Sequence, residues 1–187
     1  HRAASARRRS GLFSFRDGMG VLPRALAAAL GESLLHGVWV KSLRPVAGGG
    51  FAVEAERAGE RRTFRARSVV VALPAYGAAA ILDGADADAA HALSAIPHPP
   101  LAVVFLGYRA EDVAHPLAGL GYLAPRVENR PVLGTIFSST LFPGRAPEGH
   151  VALTAFVGGA RQPELARLPA AEMETLVAGE ARALLGA

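Results

Sequence analysis

The sequence predicts a mixed α+β / α/β chain in two parts, and three patterns predict it. Apolar residues recur at helical spacing twice, at Leu22, Ala25, Leu26, Ala29 and Leu30 and again at Met173, Leu176, Val177, Ala181, Leu184 and Leu185. Alternating or β-rich segments separated by glycine and proline turns fill much of the remainder. One run, Ser68-Val-Val-Val-Ala-Leu73, is apolar on both faces, as a strand inside a parallel sheet should be.

The first helix is expected from about Met19 to Leu30, with Pro23 in its first turn and Gly31 as its stop. Residues 34–46 and 51–57 read as strands, joined by a hairpin turn at Gly48-Gly49-Gly50. The polar stretch Glu60-Arg-Arg62 then leads into Thr63-Phe-Arg-Ala-Arg67 and the apolar run. Pro74 ends that run, a short helix follows over Ala75 to Leu82, and a second, alanine-rich helical stretch spans Asp83 to Ile96. Pro97-His98-Pro99-Pro100 cannot be helix interior. A domain change is expected close to residue 85, dividing the chain into 1–85, with a basic tail over 1–11, and 86–187.

Four strands are expected beyond it, at Leu101 to Tyr108, Gly121 to Ala124, Val132 to Ser138 and His150 to Gly158. In the last, Val151, Leu153, Ala155 and Val157 form the core face, and Ala152, Thr154 and Phe156 share the other, where one large ring among small neighbours suits a pocket floor. The terminal helix begins after Pro169, with Glu172 and Glu174 in its first turn and Arg182 in its last, each favourable to the helix dipole.

The 187 residues are 51% apolar and contain no cysteine, which excludes disulfides and thiolate metal sites. No run approaches the roughly 18 apolar residues of a membrane-spanning helix. Only one of the 20 basic residues is a lysine, Lys41, so the net charge of +4 reflects an arginine-rich, alanine-rich composition and gives little support to nucleic-acid binding. Arg7-Arg8-Arg9 reads first as a solvated helix end or linker and second as a contact for anionic lipid or an acidic ligand group. With no initiator methionine and no cleavable leader pattern, the chain is expected to be part of something longer.

No side chain has the setting of a catalyst. The six histidines show no ligand spacing, so no metal is expected. Ser138, Ser139 and Thr140 lack a nucleophile elbow and read as hydroxyls satisfying backbone at a strand end. Gly18-Met-Gly20 before the first helix is a weak anion cradle, and no Gly-x-Gly-x-x-Gly follows a first strand. The segments Gly119-Leu-Gly-Tyr-Leu-Ala-Pro125, Leu133-Gly-Thr-Ile-Phe-Ser-Ser139 and Phe142-Pro-Gly-Arg-Ala-Pro147 read as one wall of an apolar cavity, with glycines where a flat ligand could lie on bare backbone. From the residues alone, the reading stops there.

Phe15-Arg-Asp-Gly-Met-Gly-Val-Leu-Pro-Arg-Ala-Leu26, His36-Gly-Val-Trp-Val-Lys-Ser-Leu43 and Val69-Val-Val-Ala-Leu-Pro-Ala75 resemble the flavin amine oxidase superfamily. The Gly119–Pro125 and Leu133–Ser139 segments, with Phe156-Val-Gly-Gly-Ala-Arg-Gln-Pro163, resemble the protoporphyrinogen oxidases within it. The resemblance implies a partial FAD-binding domain of the flavin amine oxidase type, followed by a β-sheet substrate domain with a C-terminal helix. It covers the chain from about residue 12 and corresponds to the middle of a family member. The pyrophosphate glycines, the final flavin motif and the family's propionate-holding arginine are expected outside these residues.

Carried over, the resemblance puts Val40 where backbone meets the adenine of FAD, and Leu120, Gly121, Leu123, Ile136 and Phe156 around a porphyrinogen cavity; Leu120 departs from the aromatic found in relatives. It implies oxygen-dependent oxidation of protoporphyrinogen IX to protoporphyrin IX in haem biosynthesis, with hydride passing to FAD and no catalytic side chain of its own. Coproporphyrinogen oxidation, another flavin amine oxidase reaction, and a non-catalytic tetrapyrrole- or partner-binding module are the alternatives. Expected partners are the tetrapyrrole and molecular oxygen, with no nucleic acid; a homodimer and peripheral contact at the inner face of the cell membrane, from a cytoplasmic location, are further expectations.

Overall fold

The computed structural model describes residues 14–187, and the expected basic tail falls outside them. Two compact units are present: Leu22–His98, and residues 14–21 together with Pro99–Ala187. The sequence put the division close to residue 85; the units change within the proline tetrad, because the second helix of the pair before it packs on the first.

In the first unit, helix α1 (Val21–Leu30) stops at Gly31, whose φ of 52° a side chain would resist. Its apolar face is present, yet none of its residues is buried. Strands β1 (Val38–Pro45), β2 (Phe51–Arg57) and β3 (Glu60–Ala66) follow as an antiparallel meander in the order β1-β2-β3. The first hairpin turns on Gly48, Gly49 and Gly50, all at positive φ, and a Cβ on Gly50 would lie 2.7 Å from the Ala66 carbonyl oxygen. The second turns on Ala58 and Gly59, both left-handed, between the paired Arg57 and Glu60. Leu43 and Ala55 from the sheet and Ala78 and Ile81 from helix α2 (Ala75–Leu82) are buried. Helix α3 (Ala87–Ser94) is shorter than the expected 83–96, since the Asp86 carboxylate accepts from the Ala89 amide at 2.9 Å and fixes a start.

One expectation is corrected here. Ser68–Leu73 is not a strand, and Val70 is 91% exposed. Its apolar residues on both sides require partners on both edges and both faces. The described residues form antiparallel sheets only, and neither sheet pairs with this run.

The second unit is built on strands β4 (Leu101–Arg109), β5 (Gly121–Leu123), β6 (Val132–Ile136) and β7 (His150–Gly158), in the antiparallel order β4-β7-β6-β5. Strand β6 ends before the expected Ser138, because Phe137 turns into the core and Ser138–Leu141 forms a single-turn helix, α4. Helix α5 (Ala170–Leu185) covers the inner face of the sheet. Leu153, Ala155 and Val157 of β7, the last 0% exposed, pack there with Val132, Met173, Val177 and Leu185. Residues 14–21 join this unit through Arg145, whose guanidinium donates to Ser14 Oγ at 3.0 Å and lies over the Phe142 ring at 5.7 Å.

Because Leu153 is 1% exposed and packs with Phe137 and Leu185, Leu153→Ala should destabilise the chain by about 2–5 kcal/mol in urea unfolding. A loss below about 1 kcal/mol would mean that the sheet and α5 do not share one packed interior.

Candidate functional site

Strand register brings four of the five candidate substrate residues onto one face. Gly121 pairs with Ile136, Leu123 with Gly134, Gly134 with Phe156 and Ile136 with Thr154, and directly paired residues share a side of a sheet. That side is the outer one, opposite α5. Leu120 stands just before β5, where its carbonyl accepts from the Phe137 amide at 3.0 Å. The face is open and apolar, with Leu123 86% exposed. Within the described residues it is one apolar wall, with α4 lying against its Thr154 position.

Strand β4 adds residues to this face that the sequence reading did not single out. Val103 pairs with Phe156 and Phe105 with Thr154, so a second ring, Phe105, lies diagonally beside Phe156 and is 78% exposed. The alternation of Leu101, Val103, Phe105, Gly107 and Arg109 was visible in the sequence, but their neighbour across the sheet was not. Thr154 is itself covered, its hydroxyl 2.7 Å from Ser138 Oγ. Ser139 Oγ accepts from the Ala152 amide at 3.0 Å, so both serines are engaged in holding α4 against β7.

The glycines of this wall have two different causes. A Cβ on Gly134 would stand 2.6 Å from the Tyr122 carbonyl oxygen, and one on Gly121 would fall on the Thr135 carbonyl. These two exist to let β5 and β6 approach each other, not to leave room for a ligand. Gly107 meets nothing within 4 Å and is bare surface on the outer face.

A cavity of about 430 Å³ lies beside β5, lined by Gly121, Leu123, Tyr122, Arg130, His115 and Phe137 among others. Leu120, Ile136 and Phe156 do not line it. Arg130 and Glu180 form an ion pair of 3.3 Å at this site, and Arg161 donates to the Ala124 carbonyl at 2.9 Å, fixing the end of β5. Burial raises the Tyr122 phenol above its ordinary 10.0; the hydroxyl of Thr135, donating to it at 3.1 Å, opposes this, Glu180 adds to it and Arg130 opposes it.

In the first unit, an open cleft of about 960 Å³ runs along β1, lined by Val38, Trp39, Val40, Val69 to Pro74 and Tyr76. Strand β1 is an edge strand and its register slips between Val40 and Ser42, a bulge at Lys41. Bulges re-aim backbone groups beside binding sites. Val40, the candidate adenine contact, therefore borders an apolar cleft on a sheet edge that has backbone groups to spare. The cleft walls suit a flat aromatic group: aliphatic side chains, two rings and unpaired peptide edges. Among the described residues, no group of three or more His, Asp or Glu side chains could hold a metal.

The family model for flavin containing amine oxidoreductase matches residues 1–187. The chain is 35% identical over 178 residues to the chloroplastic protoporphyrinogen oxidase of Nicotiana tabacum, covering 92% of this chain and 32% of that protein. It is 35% identical over 152 residues to protoporphyrinogen oxidase of Homo sapiens, covering 79% of this chain and 30% of that one. The chain thus spans about a third of the length of the curated relatives it matches. A crystal structure from Exiguobacterium sp. 255-15, described provisionally as a protoporphyrinogen oxidase, superposes with a TM-score of 0.75 at 17% identity, over 92% of this chain and 36% of that one. A putrescine oxidase variant superposes with a TM-score of 0.69 at 16% identity, over 91% and 36%. These likenesses show a common fold of the flavin amine oxidase type.

Two outcomes test this geometry. Gly134→Ala should cost about 1–3 kcal/mol of stability in urea unfolding, whereas Gly107→Ala should change it by no more than about 0.5 kcal/mol. As pH rises past about 10, an unfolded tyrosine loses its proton before the native Tyr122 does, so stability present below that pH is lost as pH climbs through the raised native value. Tyr122→Phe should flatten that alkaline decline without abolishing it, since burial also raises Tyr108.

Proposed function

The chain belongs to the flavin-containing amine oxidoreductase family, and from that premise we propose that it is part of an oxidase converting protoporphyrinogen IX to protoporphyrin IX, with FAD as its flavin and molecular oxygen as the final acceptor. The observation that carries the proposal is the outer face of the β4-β7-β6-β5 sheet. Leu123, Ile136, Phe156 and Phe105 stand on one side of it, and a broad, flat, mostly apolar macrocycle matches such a platform. Relatives over most of the chain carry the name protoporphyrinogen oxidase, which favours this substrate over an amine.

When bound, the flavin supplies the acceptor for the hydride removed from the substrate. The chain's own residues orient and desolvate. Phe156 and Phe105 stack on the macrocycle, Leu123 and Ile136 hold its flank, and Leu120 and Gly121 border it at the start of β5. In the first unit, the backbone of Val40 meets the adenine of FAD in the cleft along β1, supported by the edge position of that strand and the bulge beside it. Residues 1–85 serve the flavin in this reading and residues 86–187 the macrocycle. In this reading the reaction draws no acid or base from these residues, the flavin carrying the difficult step.

The setting proposed with this function is the cytoplasm, with peripheral contact at the inner face of the cell membrane and a homodimeric assembly. No helix among the described residues is long and apolar enough to cross a membrane. Cell fractionation and sedimentation test these points.

The chain should quench or shift protoporphyrin IX fluorescence on titration, and Phe156→Ala should weaken that binding by about 1–3 kcal/mol. Unchanged affinity in a folded Phe156→Ala variant would remove the ring from the site.

A further inference from the structure

Resting on the tetrapyrrole reading above, we infer that Arg161, which touches no substrate in that reading, is a positioning residue: it sets how Leu123 stands over the outer sheet face, and so how tightly the macrocycle is held. One row of directly paired residues crosses all four strands of that face, Leu123 on β5, Gly134 on β6, Phe156 on β7 and Val103 on β4. The next row, Gly121, Ile136, Thr154 and Phe105, is the one that α4 lies against, with the Ser138 and Thr154 hydroxyls 2.7 Å apart. Leu123 is the β5 end of the first row. At 86% exposure it has few neighbours to hold it, so its place is set by its backbone.

That backbone is poorly held by its own strand. β5 is three residues long, pairs only with β6 among the described strands, and includes Gly121, which brings no side chain to the core. A Cβ on Gly134 would stand 2.9 Å from Leu123 Cδ2, so the leucine lies over bare β6 backbone and moves with the spacing of the two strands. Just beyond Leu123 the ladder is irregular. β6 shifts register against β7 between Val132 and Gly134, a bulge at Leu133, and the Leu133 carbonyl is the one that accepts from the Ala124 amide at 2.9 Å.

Arg161 closes this weak end from another part of the chain. It stands in the turn that follows β7, where Gly158 and Gly159 have φ of 97° and 63°, and a Cβ on Gly159 would lie 3.1 Å from Leu133 Cδ1. The turn thus rests against the bulge, and Arg161 Nη2 reaches past it to donate to the Ala124 carbonyl oxygen at 2.9 Å. Ala124 is 6% exposed, which leaves that carbonyl little water to use instead. The other terminal nitrogen, Nη1, is buried with no partner among the described residues. A cation kept inside with one terminal nitrogen idle is a poor source of net stability, because its burial costs about what the single carbonyl bond returns. What the bond supplies is geometry: being charge-assisted, it fixes Ala124, and with it Leu123, over the face.

The test is titration of the chain with protoporphyrin IX, following porphyrin fluorescence, with circular dichroism confirming that each variant is folded and amide exchange reporting on Ala124. Arg161→Met, which keeps the length and removes the donors, should weaken binding about three- to tenfold and speed exchange of the Ala124 amide about tenfold, with the β7 amides unchanged. Arg161→Lys, which retains a donor, should keep part of the affinity. In a Leu123→Ala background, Arg161→Met should have no more than about a twofold effect, whereas in a Val103→Ala background its effect should be whole, since only Leu123 lies on its route. The assignment is overturned, and the tetrapyrrole reading left standing, if a folded Arg161→Met chain binds as tightly as wild type or exchanges Ala124 no faster. A loss as large in Leu123→Ala as in Val103→Ala overturns it equally. If the folded wild-type chain does not bind protoporphyrin IX at all, that reading falls and this inference falls with it.

Discussion

The packing of the inner face of β7 on α5 is the constraint from which the second unit follows. Leu153, Ala155 and Val157 are held against Met173, Val177 and Leu185 with almost no exposed surface. Because side chains alternate along a strand, fixing these three inward forces Ala152, Thr154 and Phe156 outward, and pairing carries the same choice to β4 and β6 and from β6 to β5. A slip of one residue would bury Phe156 and expose Val157. The outer platform is therefore a consequence of the core, and its composition is free to serve a ligand because it contributes little to folding.

The first unit is organised differently. Its meander packs Leu43 and Ala55 on α2 and leaves β1 as an edge whose outer side, with the extended Ser68–Leu73 run and the rings of Trp39 and Tyr76, borders a wide apolar cleft. Apolar surface left in water costs free energy in proportion to its area, so a cleft of this character is a place for a partner group. A flavin nucleotide presents both features such an edge can use: a flat ring for the aliphatic walls and polar atoms for unpaired peptide groups.

Charge is sparse where the chemistry is proposed. Among the described residues, the outward strand positions from Leu101 to Gly107 and from Ala152 to Gly158 carry no charge, and the ion pair of Arg130 with Glu180 belongs to a separate cavity beside β5. A site of this kind acts by orientation and exclusion of water, leaving electron transfer to a cofactor.

Periodicity made much of this legible. The helices at 21–30 and 170–185, the Gly48–Gly50 hairpin and β7 over His150–Gly158 with its inward set were all readable, because alternation at two residues or recurrence at 3.6 is a local property. Chain order could not say whether Ser68–Leu73 has neighbours, since strand pairing is made by residues distant in sequence. It also could not separate Gly134, empty because the backbone of β5 occupies its side-chain space, from Gly107, empty toward solvent. Phe105 was missed for the same reason: its alternation was local, but its place beside Phe156 depends on register between strands about fifty residues apart. The sequence by itself determined which residues turn inward along β7 and α5, through spacing alone; only the tertiary structure decided which outward residues share a face, because that is fixed by hydrogen-bond register between segments the chain brings together from afar.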